Sequence, residues 1–335
     1  MRHFLTTADW SRSELQGLLD RAAAFKSGTV SRSLEGKSIA LLFFNPSLRT
    51  RSSFDIGAHQ MGGHAIVLDA KGATWPLEFS DGTIMDGSEE EHVREAARVL
   101  SSYVDLIAIR CFPDFKDWKS EREDPMISAF AKHSTVPVIN METIVHPCQE
   151  LALMLALQER LGSVEGKEFL LTWVPHPKPL NTAVANSALL IASKFGMNVR
   201  MLVPDEVYRL DERYMSAAET FVSDAGTSLT LTTDVEAAYS GADVVYAKSW
   251  GALPFYGNWG DEAPFRAKGA DFMITPEKMA LTNNGVVSHC LPMRRNIKIA
   301  DAVVDSPAFL GIEEAGNRLH VQKAVMESLA TQGGS

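Results

Sequence analysis

Short apolar runs alternate along this chain with longer amphipathic stretches, a pattern typical of strands that alternate with helices. The runs are rich in β-branched residues and almost continuous, as expected for strands of a parallel sheet covered on both faces. The predicted strands are 38–44, 64–69, 106–112 and 136–141 in a first set, and 169–174, 198–203, 229–233, 243–247 and 286–291 in a second. Alternation of this kind indicates an α/β fold.

Three segments of the sequence predict helices, and one of them separates the two sets of strands. Ser11 and Glu14 form a capping box, which predicts a helix running to about Phe25. The stretch 147–162 is rich in leucine and alanine and ends in glycine, so it predicts a helix that bridges the two sets of strands. Residues 317–329 predict a closing helix. We therefore expect two lobes, each a parallel sheet flanked by helices, joined by the bridging helix and closed by the C-terminal helix.

Composition narrows the class of protein. The chain has 335 residues, about twice the usual length of one domain. Apolar residues make up 45% and charged residues 22%, which is ordinary for a globular protein. No apolar run approaches the ~18 residues of a membrane span, and the N-terminus lacks an apolar signal core. The tail 332–335 is expected to fray.

Cysteine usage and charge add two expectations. The three cysteines form neither a disulfide framework nor a zinc-binding spacing, which favours a reducing cytoplasm and no metal. The net charge of −10 argues against nucleic acid as the main partner. A small anionic ligand remains compatible with that charge, because a local arginine cluster can dominate the field of its own cleft.

The strongest candidate for a binding site follows the first predicted strand. Two arginines and four hydroxyl side chains lie within residues 47–53, where the next helix is expected to begin. Free N–H groups and the helix dipole favour an anion there, and arginines and hydroxyls add donors suited to phosphate. The alternative is an ordinary capped, solvated helix start. The Walker loop and the dinucleotide-binding glycine pattern are both absent from the sequence.

Three other strand ends carry polar residues. Arg110 ends one apolar run, Glu142, His146 and Gln149 follow another, and the segment 289–295 follows the last. Ligands of open α/β sheets bind outside the carboxyl ends of the strands, so these residues are candidates for one crevice. Taken singly, each is compatible with a structural role, and Cys290 with that of a small buried side chain. A metal or a thiol nucleophile is disfavoured because no zinc-type spacing is present.

Three motifs together resemble the aspartate/ornithine carbamoyltransferase family. They are Ser47-Leu-Arg-Thr-Arg51, His146-Pro-Cys-Gln149 and His289-Cys-Leu-Pro292, followed by the related stretch Glu314–His320. The resemblance implies transfer of a carbamoyl group from carbamoyl phosphate to an amine, without a metal or organic cofactor. It also implies a carbamoyl-phosphate-binding domain at 1–145 with helix 317–330, and an amine-binding domain at 146–316. Family members are commonly trimers, so a homo-oligomer with shared sites is expected.

The resemblance also implies roles for individual residues. Arg110 and His146 would polarise the carbonyl group, and Cys290 and Leu291 would present their backbone carbonyls to the amine. The implied contacts of carbamoyl phosphate are Ser47, Leu48, Arg49, Thr50, Trp75, Arg110, His146, Gln149, Cys290, Leu291 and Arg318.

The amine is indicated by departures from the ornithine pattern. Residues 172–182 replace the usual Gly-Asp-Gly-Asn-Asn stretch, and Lys248 stands where an aspartate would pair with the substrate's α-ammonium. A lysine repels a free α-ammonium, whereas an N-acylated ornithine keeps only its carboxylate there. The departures are similar to the branch of the family that uses N-acetylornithine, in which Glu142, Lys248 and Leu291 would contact the amino-acid substrate.

Three further residues take their expected roles from the same branch. Trp75 would reach the site of a neighbouring subunit, and Lys298 would match a lysine that can be carboxylated, with an ordinary surface lysine as the alternative. Glu90 would repel a succinyl group and so select an acetyl group. It belongs to three consecutive carboxylates before a predicted helix at 92–100, which could simply stabilise the helix dipole. The other candidate functions are an N-succinylornithine enzyme, a non-catalytic carbamoyl-phosphate-binding relative and an unrelated phosphate-binding protein.

Overall fold

The computed structural model describes residues 1–72 and 74–332, which form two compact units. The first contains residues 1–114, 119–148 and those from 317, and the second contains Phe115–Trp118 and Gln149–Gly316. Each unit has its own parallel sheet, which confirms the prediction of a two-lobed α/β fold. Most of the predicted tail lies outside the described residues.

The sheet of the first unit has the strand order β2-β1-β5-β6, with all neighbours parallel. Its central strands β1 and β5 are apolar and buried except for Ser38, which starts β1, and Arg110, which ends β5, whereas edge strand β2 has exposed and half-buried residues. A separate two-stranded parallel pair joins β3 to β4. The strands of this unit are β1 (Ser38–Phe43), β2 (His64–Asp69), β3 (Leu77–Glu78), β4 (Glu91–His92), β5 (Leu106–Arg110) and β6 (Val138–Glu142).

The sheet of the second unit has the order β11-β10-β7-β8-β9, again entirely parallel. The middle strand β7 is buried along nearly its whole length, as its continuous apolar run predicts. The strands are β7 (Glu168–Trp173), β8 (Asn198–Leu202), β9 (Leu229–Thr232), β10 (Val244–Lys248) and β11 (Val286–Ser288).

The helices cover the segments between strands. Single turns of 3₁₀ helix occur at Thr7–Asp9, Glu206–Tyr208, Leu253–Phe255 and Ala270–Phe272. The α-helices are α1 (Arg12–Lys26), α2 (Arg49–Gln60), α3 (Val93–Ser101), α4 (Trp118–Glu121), α5 (Pro125–His133), α6 (Pro147–Leu161), α7 (Ala183–Lys194), α8 (Glu212–Ala225), α9 (Val235–Tyr239), α10 (Ala263–Ala267), α11 (Pro276–Met279), α12 (Asp301–Val304) and α13 (Gly311–Gln332). The capping box predicted at Ser11 and Glu14 is present in full, and no helix among the described residues is long and apolar enough to span a membrane.

The largest errors in the predicted boundaries lie at the end of the last strand and at the start of the closing helix, and several other strand ends differ by one or two residues. The last strand ends at Ser288 rather than at residue 291, because Leu291 adopts a positive φ of 52° that no strand accommodates. The closing helix begins at Gly311 rather than at residue 317. Its first turn contains Glu313 and Glu314, and acidic residues are favourable at a helix N-terminus. These charged residues interrupt the apolar periodicity that predicts a helix, so the sequence indicates too late a start.

Candidate active site

The turn after β1 is fixed to the segment that follows β5. The backbone N–H of Phe44 donates to the carbonyl of Arg110 at 2.9 Å, and that of Phe112 donates to Oδ1 of Asn45 at 2.7 Å. Because β1 and β5 are parallel neighbours, with Phe43 opposite Arg110, their carboxyl ends meet at one edge of the sheet. The structure thus brings together the first two predicted parts of the site.

The start of α2 has the features of an anion site. Leu48 precedes the helix without a side-chain capping bond, and no acidic residue occupies the first turn. The hydroxyl of Ser47 accepts a bond from the N–H of Thr50 at 3.1 Å, and Leu48 is mostly exposed. A helix N-terminus in this state carries partial positive charge without a protein carboxylate to balance it.

Three arginines add their charges to this helix start. Arg318, on α13, donates from Nη2 to the hydroxyl of Thr50 at 2.7 Å. The pKa of Arg318 is lowered to about 10, mainly by burial and to a smaller extent by the positive charges of Arg110 and Arg49. Within the described part of the chain, the Nε atoms of all three arginines are buried and have no hydrogen-bond acceptor. Donors and positive charge are therefore in excess at this point.

A single carboxylate, that of Glu142, joins two of the predicted catalytic residues. It forms a buried ion pair with Arg110, and its Oε2 lies 3.4 Å from Nε2 of His146. An irregularity in the pairing of β5 with β6 places Glu142 directly opposite Arg110. Since α6 begins immediately after His146, the imidazole is fixed at a helix start. The arrangement can hold a guanidinium and an imidazole ready to polarise a carbonyl oxygen.

In the second unit, the predicted residues gather at the ends of β10 and β11. Lys248 ends β10, and its Nζ lies 3.7 Å from Sγ of buried Cys290. The backbone N–H of Leu291 donates to Nδ1 of His289 at 2.9 Å, which fixes the turn after β11. Lys298 closes this group, with Nζ 3.3 Å from Nε2 of His289.

Lys298 is buried, so the alternative that it is an ordinary surface lysine is wrong. Burial lowers its pKa to about 7, and the charge of Lys248 contributes to the lowering. A large fraction of Lys298 is therefore a neutral amine near neutral pH. A neutral amine is also the form that can react with carbon dioxide, so carboxylation of Lys298 stays a prediction.

Glu314 has a central role that the sequence does not reveal, although it begins one of the motifs of the chain. This fully buried carboxylate on α13 accepts bonds from Nε2 of Gln149 at 2.5 Å and from the hydroxyl of Tyr246 at 3.0 Å. Ser288 donates to its other oxygen. Glu314 thus ties α6 and α13 to the ends of β10 and β11. Gln149 is part of this network, and its predicted contact with phosphate stays a prediction.

Trp75 and Glu90 lie side by side in an exposed part of the first unit. The backbone N–H of Glu90 donates to the carbonyl of Pro76 at 3.1 Å, immediately before β3 pairs with β4. The side chain of Trp75 is 67% exposed. Helix α3 begins only at Val93, capped by His92, so the three carboxylates at 89–91 lie outside its first turn. Their placement is therefore poorly explained by the helix dipole alone.

Two family models match most of the chain. The aspartate/ornithine carbamoyltransferase carbamoyl-P binding domain matches residues 2–159, and the Asp/Orn binding domain of the same family matches residues 179–329. The chain belongs to the aspartate/ornithine carbamoyltransferase family. The resemblance carried by the three motifs is thereby confirmed.

Several known proteins are similar to this chain over nearly its whole length. An N-acetylornithine carbamoyltransferase of Xanthomonas axonopodis pv. citri is 60% identical over 336 aligned residues, covering 100% of this chain and 98% of the relative. A crystal structure of an acetylornithine transcarbamylase complexed with acetylcitrulline has a TM-score of 0.97 and 60% identity, covering 98% of this chain and 99% of that chain. A second crystal structure is that of a glutamate-to-alanine mutant of an N-acetyl-L-ornithine transcarbamylase, complexed with carbamyl phosphate and N-succinyl-L-norvaline. It also has a TM-score of 0.97 and 60% identity, covering 98% of this chain and 100% of that chain.

The buried Lys298 gives this protein a specific dependence of stability on pH. A lysine in the unfolded chain keeps its proton up to about pH 10.5, whereas in the fold Lys298 releases it near pH 7. Between these values the unfolded chain binds more protons, so the free energy of unfolding rises with pH. Urea unfolding at about pH 7 and about pH 9 should show that wild type gains stability relative to Lys298→Met. An identical pH response in the two proteins would contradict a lowered pKa.

Proposed function

We propose that this protein transfers the carbamoyl group of carbamoyl phosphate to the side-chain amine of N-acetyl-L-ornithine. The products are N-acetyl-L-citrulline and phosphate, a reaction of arginine biosynthesis. The observation that carries the proposal is the group of Arg49, Arg110 and Arg318 at the start of α2, whose first turn holds no acidic residue, together with the pairing of Arg110 and His146 with Glu142. A phosphate dianion supplies the negative charge that this group lacks, and the relatives named above supply the substrate class.

For this reaction the protein has to hold the two substrates in place and stabilise the negative charge that develops on them. The neutral side-chain amine attacks the carbonyl carbon and a C–N bond forms. The C–O bond to phosphate then breaks, and the leaving phosphate accepts the proton that the amine loses and departs as the hydrogen phosphate dianion. Arg49, Thr50 and Arg318 would hold the phosphate. Arg110 and His146 would stabilise the negative charge that develops on the carbonyl oxygen, which is commonly the largest contribution to such catalysis. No step requires a metal or an organic cofactor.

The electrostatics of the second unit favour an acylated substrate. Burial lowers the pKa of His176, and the charges of Lys298, Arg294 and Lys248 lower it further. These cations therefore act together on the carboxyl edge of the second sheet. A free α-ammonium would be repelled there, whereas an N-acyl ornithine presents only its carboxylate. Glu142, Lys248 and Leu291 are the contacts we assign to the amino-acid substrate.

The alternative functions can be separated by one substrate panel. N-acetylornithine, N-succinylornithine, ornithine and aspartate are each supplied with carbamoyl phosphate, and carbamoylated product is measured. Turnover of N-acetylornithine above the others is expected. Preference for N-succinylornithine would assign the protein to the succinyl branch, and binding of carbamoyl phosphate without any turnover would identify a non-catalytic relative. A cytoplasmic location stays a prediction from the sequence.

Arg49→Ala should reduce kcat with N-acetylornithine by about 10²–10³, because it removes one charged donor from the developing negative charge of the leaving group. Arg51→Ala is the matched control, since Arg51 is exposed on the same helix turn. Steady-state kinetics at saturating carbamoyl phosphate measure both. Equal activities of the two variants would contradict the assignment of the phosphate site to the start of α2.

Glu90→Ala should raise kcat/KM for N-succinylornithine relative to that for N-acetylornithine, because a carboxylate that repels the succinyl group is lost. Glu89→Ala removes the neighbouring carboxylate with the same change in net charge and serves as the control. Competition between the two substrates gives the ratio directly. The assignment of Glu90 is wrong if the ratio stays at its wild-type value.

We expect a homotrimer in which exposed Trp75 completes the site of a neighbouring subunit. Trp75→Ala and Arg49→Ala should each be poorly active alone. Mixed oligomers of the two should recover activity, because some of their sites contain neither substitution. Sedimentation of the same samples reports the oligomeric state. A fully active monomer, or mixing without recovery, would count against shared sites.

A further inference from the structure

A buried ion pair lies beneath the predicted amine-binding loops, outside every contact assigned above. Glu262, directly before α10, has a fully buried side chain, and its Oε2 accepts a bond from Nη2 of Arg266 at 2.6 Å. Burial and then the negative charge of Glu262 raise the pKa of the nearby phenol of Tyr208. A charged pair in such surroundings is held rigidly, because either partner alone would be a buried, uncompensated charge.

Each member of the pair also holds a different loop. Nη1 of Arg266 donates to the backbone carbonyl of Pro177 at 2.8 Å, in the loop that follows β7. Oε1 of Glu262 accepts the backbone N–H of Ala252 at 3.0 Å, in the loop that follows β10. The pair therefore joins the two loops through four atoms in fixed geometry. The planar fork of the guanidinium allows Arg266 to bond in both directions at once.

The same two loops contact each other directly. The backbone N–H of Gly251 donates to the carbonyl of Leu180 at 2.9 Å. A Cβ added at Gly251 would lie only 2.7 Å from the ring of Trp259 and 2.9 Å from Pro179, so the loops touch at a point where only glycine fits. Small displacements of either loop are thus transmitted to the other.

The joined loops border a cavity at the carboxyl edge of the second sheet. Trp173, His176, Arg266 and Ile297 contribute to its wall, and Ile297 directly precedes Lys298. The loop after β10 begins directly after Lys248. These are the segments in which the sequence departs from the ornithine pattern. The ion pair therefore supports the part of the chain that we assign to recognition of the acylated amino acid.

We propose that Glu262 and Arg266 form a positioning pair that sets the affinity for the N-acylated amino-acid substrate. The inference rests on the proposed function. Neither side chain needs to touch the substrate. The pair acts by holding the loop of His176 and Pro177 against the loop that follows Lys248, so that the two are already in place when the substrate arrives.

Arg266→Lys tests the proposal, because lysine keeps the positive charge beside Glu262 but replaces the two nitrogens of the fork with one. The KM for N-acetylornithine should rise on the order of tenfold. The KM for carbamoyl phosphate should stay at the wild-type value, since its assigned contacts on α2 and α13 are left intact. Glu262→Asp, which keeps both charges and shortens the reach of the carboxylate, should give the same pattern.

Arg160→Lys is the matched control. Arg160 also bonds a backbone carbonyl, that of Pro307 at 2.8 Å, and a glutamate, Glu313 at 3.4 Å, but on the exposed surface. It should leave both KM values unchanged. An unchanged KM for N-acetylornithine in folded Arg266→Lys or Glu262→Asp would overturn the proposal, as would a parallel loss of affinity for both substrates. Failure of wild type to use N-acetylornithine would instead refute the proposed function.

Discussion

The buried ion pair between Arg110 and Glu142 is the constraint on which the candidate site residues of the first unit depend. Removing two charges from water is costly, and the cost is recovered only if the partners meet in good geometry. Here the strands themselves supply that geometry, because Arg110 ends β5 and Glu142 ends β6 directly opposite it. The carboxylate also lies within reach of His146. One acidic residue therefore fixes the orientation of both groups that we assign to the carbonyl oxygen.

The candidate site residues of the second unit depend on an equivalent residue, Glu314. Its carboxylate accepts bonds from residues on α6, β10 and the end of β11, all of them buried. A buried acid with several donors stiffens its surroundings when every bond is satisfied and destabilises them when one is lost. Glu142 and Glu314 thus have the same physical role in their own units. Each converts strand ends, which are irregular by nature, into a fixed arrangement of side chains.

The sequence predicted most of the fold and supplied the candidate residues of the site, but little of the bonding among them. Nearly continuous apolar runs identified every strand of the two main sheets, since burial on both faces leaves a clear signal. The rule that ligands bind at the carboxyl ends of strands located Arg110, Glu142 and the turn after β11. The pairing irregularity beside Arg110 and the positive φ of Leu291 left no such signal, because both are set by tertiary contacts. The burial of Lys298 and the hub at Glu314 were invisible for the same reason.

The net charge of this protein is negative, but the charge around the assigned substrate contacts is positive. This local charge decides which substrates fit. The chain carries ten more acidic than basic residues, yet Arg49, Arg110 and Arg318 gather around one carboxylate in the first unit. In the second unit Lys248 and Arg294 act together on His176, and Lys298 adds its charge in the fraction that stays protonated. Each cluster is buried or half-buried over part of its length, where charges are screened less than on the surface. The acidic residues elsewhere are largely exposed and solvated, so they do not cancel these fields.

In each unit some positive charges therefore lack a negatively charged partner. An anionic group of a substrate can supply that partner, a phosphate in the first unit and a carboxylate in the second. An α-ammonium has no equivalent place, and this is the physical reason for preferring an acylated amino acid.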